Sequence, residues 1–383
     1  MAGLATLAVV LSACTGATTT ATDGTSSAVT PLPGGTSGFS DERTGGIDVP
    51  VDESLLVSGG PPPDGIPPID EPTFEDPETV DWLEPNEPVL AVEVDGVAKA
   101  YPIRIMTWHE IVNDSFGETP VTVTYCPLCN TGIAFVRPVV RGELLDFGTS
   151  GMLFNSNLVM YDRQTETYWA QATGQAILGE LVPRRLAFVP ARLLSWGDWL
   201  QANADGQVLS IETGFPRDYG RNPYSGYDSG EPFLYDGEPD ERLPSTAHVL
   251  GISSGGETIA IPLDRLAASS SDGLAAVHLP VGGIDHAVFW RAGTSSALDA
   301  GEIAGGRDVG AAVAYLPRVD GKRLRFSVED GAIVDDRTGS RWDITGRAID
   351  GSLEGSQLEV AVAIPSFWFD WAAFHPQTGV WAG

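Results

Sequence analysis

Val121-Thr-Val-Thr-Tyr-Cys126-Pro-Leu-Cys129-Asn-Thr-Gly-Ile-Ala-Phe-Val-Arg137 is the stretch whose reading decides the fold. Val121 to Tyr125 alternates Val and Thr, the period-two pattern of a half-buried strand. Cys126-Pro-Leu-Cys129 interrupts it, and Ile133 to Val136 resumes as a second strand. In thioredoxins a helix follows the CxxC; here the following residues are strand-like, so a thioredoxin-like fold is not expected. The chain holds three cysteines, and two of them lie in this turn. Such a pair is a redox dithiol, a plain disulfide or half of a metal site.

Outward from this turn the chain reads as two diverged copies of one unit. Leu90 to Ile103 resembles Val249 to Leu263, and Val121 to Arg137 lines up with Ala275 to Arg291. Asp162-Arg163 with Trp169 and Gly174 to Gly179 matches Asp336-Arg337 with Trp342 and Gly346 to Gly351. Pro190, Trp196 and Trp199 match Pro365, Trp368 and Trp371. Within copy one, Val89 to Val94 and Ala98 to Ile103 flank Asp95-Gly96, a hairpin turn. Short helices are predicted at Ile105 to Asn113 and at Leu194 to Ala202, where Leu194, Trp196, Trp199 and Leu200 share a face. The fold class is therefore α+β and β-rich: two tandem repeats of mixed strands and short helices packed as one body.

The repeat separates scaffold from function. Asp162-Arg163 recurs as Asp336-Arg337, so a buried turn with a structural ion pair is expected there. The paired tryptophans are core by the same reasoning. In the alignment above, Cys126 faces Pro280, Cys129 faces Gly283 and His109 faces Ser269. The thiols and His109 thus belong to copy one alone, and copy two reads as a degenerate partner that completes the fold or shapes a cleft. Met152 and Asn155, in the run Ser150 to Asn157, are further candidates to bind a ligand or cofactor.

The ends bound the rest. Leu11-Ser12-Ala13-Cys14 after a short apolar run resembles a bacterial lipoprotein signal, although no Lys or Arg precedes the run. The resemblance implies cleavage before Cys14, lipid on its thiol and an extracytoplasmic protein anchored to the membrane. Residues 15–78 are rich in Thr, Ser, Gly, Pro and Asp and read as a disordered tether. Copy one then covers 79–217, a linker 218–245 and copy two 246–383. A formal charge of −30 argues against nucleic acid as a partner.

Ala100-Tyr-Pro-Ile103, Trp108-His-Glu-Ile-Val-Asn-Asp114, Tyr125-Cys-Pro-Leu-Cys129, Ser150 to Arg163 and Gly214-Phe-Pro-Arg-Asp-Tyr219 together resemble a bacterial domain-of-unknown-function family, number 3179. The resemblance covers about 85 to 245. The family has no settled activity, but members with selenocysteine in the CxxC-type motif imply redox chemistry there. Three readings stay open. In the first, Cys126 and Cys129 exchange electrons, His109 is the proton partner, and one thiol titrates below the ordinary value of about 8.5. In the second, Cys126, Cys129 and His109, with a methionine, hold a soft ion such as copper or zinc. In the third, the pair is a structural disulfide in a surface binding module.

Overall fold

The computed structural model describes residues 38–40 and 47–383. The signal segment, Cys14 and most of residues 15–46 lie outside the described residues. Among the described residues no helix is long and apolar enough to cross a membrane.

Copy one begins with the expected hairpin of Pro88–Val94 and Val97–Pro102. Asp95 and Gly96 have φ of 51° and 77°, the left-handed pair of a type I′ turn. The chain passes directly into α1 (Ile103–His109), which ends at Glu110 with φ 60°. The predicted helix over 105–113 is thus shorter, because Ile111-Val112 starts the strand Ile111–Phe116. That strand pairs with Thr119–Cys126, which pairs in turn with Thr131–Val136. Thr122 and Thr124 are fully buried, so this sheet is covered on both faces rather than half-exposed.

The element order then recurs. A sheet of Ala191–Ser195, Pro88–Val94, Val97–Pro102 and Gln207–Leu209 has a counterpart in Ala363–Phe367, His248–Ser254, Glu257–Pro262 and Gly379–Val380. The cysteine-bearing sheet, with Phe188–Val189 beside Thr131–Val136, corresponds to Leu274–Val281, Ile284–Arg291, Ala311–Leu316 and Glu359–Val360. A third sheet, from Phe147–Phe154 to Gln175–Leu178, corresponds to one from Phe326–Glu329 to Ala348–Asp350. Helices α1 and α2 (Trp196–Ala202) match α3 (Leu263–Ala268) and α4 (Trp368–Phe374).

This topology corrects the alignment of the cysteine turn. Thr119–Cys126 and Thr131–Val136 are the second and third strands of their sheet after α1, so they match Ile284–Arg291 and Ala311–Leu316. The counterpart of Cys126-Pro-Leu-Cys129 is the long loop 292–310, not the tight turn at Gly282-Gly283. The loop lengthens one copy, and consecutive antiparallel strands of similar pattern hid a one-strand slip. The loop has no cysteine, so the thiols still belong to one copy. The aspartate match also shifts by one residue. Asp162 accepts from Thr165 Oγ1 and Trp169 Nε1 at 2.9 and 3.0 Å; Asp335 accepts from Thr338 Oγ1 and Trp342 Nε1 at 2.7 and 3.2 Å. It is a turn acceptor, and the expected ion pair with the next residue does not form. Arg163 instead bonds Asp64 and Asp70 at 3.1 and 3.0 Å.

The helices lie where the copies meet. Trp196 and Trp199 of α2 pack in a cluster with Phe289, Tyr315 and Trp342 of copy two. Trp368 and Trp371 of α4 pack with Tyr125, Cys126 and Cys129 of copy one. Each helix also packs on strands of its own copy, so these two apolar clusters span both repeats.

Residues 47–78 are structured, contrary to a wholly disordered tether. Val57 and Ser58 pair with Leu153 and Met152, Ile69 bridges Val112, and Phe74 and Glu75 pair with Leu209 and Val208. Sparse apolar residues act as anchors, and the prolines between them lower the entropy lost on ordering an extended chain. Residues 218–245 likewise do more than connect: Tyr224, Tyr227 and Tyr235 pack against the cluster that holds the cysteines.

Candidate functional site: a buried thiol pair beside a carboxyl

Cys126 ends its strand opposite Thr131. Pro127 and Leu128 occupy a tight turn closed by Cys129 N–H to Cys126 O at 3.2 Å and Asn130 N–H to Pro127 O at 3.3 Å. Asn130 takes φ 52°, a conformation that asparagine tolerates, and its Oδ1 accepts from Tyr125 Oη at 2.9 Å. Both cysteines are free thiols, 2% and 0% exposed.

Two elements distant in sequence complete the surroundings. Asn155 and Ser156, with φ of 52° and 67°, form a type I′ turn between Phe147–Phe154 and Asn157–Asp162. The carbonyl of Ser156 meets both thiols, Cys129 Sγ at 3.4 Å and Cys126 Sγ at 4.0 Å. From copy two, Phe367 N–H donates to Cys129 O at 2.8 Å and leads into α4. Asp370 on α4 lies against the Cys129 thiol. It also accepts from Asn157 Nδ2 at 3.0 Å and from Ser366 Oγ at 2.9 Å. Asn157 belongs to a buried polar network with Gln171, Thr131 and Thr124. Every member is bonded to another, which fixes the Asp370 carboxyl in place.

Burial sets the titration. It pushes Cys129 well above the ordinary thiol value, with further raising from Cys126 and from the Asp370 charge. The expected low-pKa thiolate is therefore not found at Cys129, where burial, Cys126 and Asp370 all act to raise the thiol. Burial also raises Asp370 to about 6, against the hydrogen bonds from Cys129, Ser366 and Asn157 that favour its charged form. Glu110 is raised by burial to about 8.

The His109 ring is turned to other partners. Its Nδ1 meets Pro67 O at 2.7 Å and its Nε2 meets Tyr219 Oη at 2.6 Å, so both ring nitrogens are committed. Burial lowers its pKa, as does Arg217, against the Pro67 contact. Met152 pairs with Ser58 and Val159 and packs in a separate cluster around Val51 and Phe374. Asn155 serves the turn that presents Ser156. Among the described residues no group of three or more His, Cys, Asp or Glu is arranged to hold a metal ion. An open cleft of about 670 Å³, lined by Gln201, Arg291, Asp343 and Arg347, contains none of these residues.

Sequence reasoning missed Asp370 because copy two had been set aside as degenerate. The signal was present: Ser366-Phe-Trp-Phe-Asp370-Trp-Ala-Ala-Phe374 places one carboxylate in an otherwise apolar helix. A lone acid there is buried with a partner.

Residues 63–378 match the model of a family described as protein of unknown function, DUF3179. The chain belongs to this family. The match runs through both copies, whereas the resemblance in the sequence covered only copy one and the linker. In this DUF3179 chain the match also starts within the N-terminal segment that lies along copy one. No curated protein and no solved structure matches the chain.

Proposed function

We propose that Cys126 and Cys129 form a buried redox dithiol that exchanges with a disulfide-bearing substrate outside the cytoplasmic membrane. The observation that carries this reading is the Asp370 carboxyl against Cys129. A buried thiol held above its usual pKa needs a base to become a nucleophile, and Asp370, near 6, is ionised at neutral pH and placed to take the proton. The lipobox ending in Cys14 supports the location: lipid there would anchor the folded part beyond the membrane, where disulfides persist.

The chemistry balances without a further reactant. Cys126, the less enclosed sulfur, attacks one sulfur of the substrate disulfide, and the other substrate sulfur leaves and takes the Cys126 proton. Cys129 gives its proton to Asp370 and attacks Cys126 in the mixed disulfide. The second substrate sulfur leaves and receives that proton from Asp370. The substrate gains two electrons and two protons, and Cys126–Cys129 becomes a disulfide. Tyr224 and Tyr227 pack against the cluster that contains the pair.

Intact-mass and alkylation measurements in dithiol buffers of graded potential test the reading. The pair is expected to interconvert reversibly. Asp370→Asn should slow exchange about tenfold and remove a rate inflection near pH 6. His109→Ala should leave that inflection in place, because the ring serves Pro67 and Tyr219. Thiols that stay reduced across the whole range of potentials would overturn the proposal, as would a rate indifferent to Asp370.

A further inference from the structure

Copy one has a strand edge to which a further segment is hydrogen-bonded; in copy two the same edge carries no such segment beyond the pairing of Ser271 with Leu274. In copy one, Ile69 adds to the outer side of Ile111–Phe116. Its N–H donates to Ile111 O at 2.9 Å, and its carbonyl accepts from Asn113 N–H at 2.8 Å. The next residue, Asp70, accepts from Asn113 Nδ2 at 2.7 Å. An apolar residue followed by an acid is thus held by two backbone bonds and one side-chain bond.

The equivalent strand in copy two is Leu274–Val281. Its register follows from a shared contact. Asn113 Oδ1 accepts from Phe147 N–H at 3.1 Å, and His278 Nε2 accepts from Phe326 N–H at 2.8 Å, each Phe opening the third sheet of its copy. His278 therefore stands for Asn113, and Ala276 for Ile111. Leu274–Val281 pairs with Ile284–Arg291 on one side and is the edge of its sheet on the other. Ile111, Val112 and Asn113 are buried under the added segment, whereas Ala276, Val277 and His278 are half-buried.

Side chains at this edge carry unmet donors. Since His278 Nε2 accepts, its proton sits on Nδ1, and Nδ1 is buried with no hydrogen-bond partner. Asn113 spends the corresponding donor on Asp70. Arg323 and Arg325 act on His278 together with Asp285 and Asp336. Arg323 pairs with Asp285 at 2.8 Å but leaves a buried Nε without a partner. Arg325 forms no ion pair among the described residues. Its counterpart in copy one is Asp146, since Asp336 N–H donates to Arg325 O as Arg163 N–H donates to Asp146 O. In a chain of net charge −30 this edge has changed sign toward the cationic.

We propose that the free edge of Leu274–Val281 binds an extended segment of a partner protein in which an apolar residue precedes Asp or Glu. The apolar residue pairs with Ala276 O and His278 N–H, and the carboxylate reaches His278 Nδ1 beside Arg325. The chain's own Ile69-Asp70 cannot serve, being already held by copy one. Pro280 has no N–H to offer, which confines pairing to the residues before it.

The probe is a labelled synthetic peptide with the sequence Gly65 to Phe74, titrated against the intact chain by fluorescence anisotropy. Saturable binding is expected. It should weaken roughly tenfold when the peptide carries Asn for Asp70, and comparably in the protein variant Arg325→Glu. N-methylation of the peptide at Ile69 should abolish it, and hydrogen exchange should slow at His278 N–H when peptide is bound. Arg325 is exposed, and the peptide variants test the seat without altering the protein. No saturable binding up to millimolar peptide would overturn the proposal. So would binding unchanged by Arg325→Glu, the signature of the peptide displacing its own segment from copy one.

Discussion

The cysteine turn of copy one and loop 292–310 of copy two occupy the same place in the same sheet, yet they are built for opposite purposes. The turn spans few residues, holds two sulfurs and draws in Ser156, Asn157 and Asp370. The loop is long and spends its polar groups on structure. Ser296 Oγ donates to Asp228 at 2.5 Å, and Arg307, on the same loop, bonds that carboxylate at 2.7 Å. Asp228 lies in the 218–245 segment, so copy two's loop anchors the segment that packs against the cluster holding copy one's thiols. Duplication here did not leave an active and an idle half. One copy kept the turn, and the other supplies the carboxyl on α4 and the anchor for that segment.

The apolar clusters around α2 and α4, which span both copies, make the largest prediction. Trp368→Ala, on α4, removes a fully buried ring from copy one's cluster, and Trp199→Ala does the reverse in copy two's. Each should cost about 3–5 kcal/mol. Because each cluster draws residues from both copies, denaturant unfolding of either variant should remain one cooperative transition reported equally by probes in both halves. Two separate transitions would break the picture of a shared core.

The second prediction concerns what the copies hold in common. Asp162 and Asp335 each take a threonine hydroxyl and an indole N–H. Asp162→Ala and Asp335→Ala should therefore destabilise to a similar degree, about 2–3 kcal/mol, because each leaves buried donors unmet. Chemical denaturation checks this. If Asp162 alone altered thiol exchange at equal loss of stability, it would belong to the site rather than to the scaffold.

How far the chain was legible follows the same division. The strand–turn–strand around Cys126, the Asp95-Gly96 hairpin and the β-rich repeat could be read because they rest on local periodicity and turn chemistry. What could not be read depended on long-range placement. The register between copies failed at a loop whose length no local pattern announces. Residues 47–78 and 218–245 look like linkers by composition, yet Ile69, Tyr224 and Tyr227 bury themselves against copy one. His109 was singled out as the one histidine of copy one, but rarity says nothing about direction, and its ring turns to Pro67 and Tyr219.

The smallest expected effect separates the copies by pH. Glu110 ends α1 in copy one, while the uncharged, half-buried Ser270 holds the corresponding position after α3. Burial raises the Glu110 carboxyl from 4.5 to about 8. Its folded-state pKa therefore lies above the unfolded one, and the folded chain binds more protons across that interval. Stability attributable to Glu110 should be fully present below about pH 4.5 and should decline as pH rises toward 8, by at most about 1.4 kcal/mol per pH unit. Asp370 acts in the same direction over 3.8 to about 6. Above pH 6 the two separate, because only Glu110 still titrates. Glu110→Gln should then flatten denaturation midpoints measured from pH 6 to 8, while Asp370→Asn should leave that interval sloped and flatten the one below it. A Glu110→Gln profile that keeps its slope above pH 6 would mean that the carboxyl is already ionised in the folded chain. Copy one would then hold a charge beside Tyr224 and the thiols rather than a neutral acid.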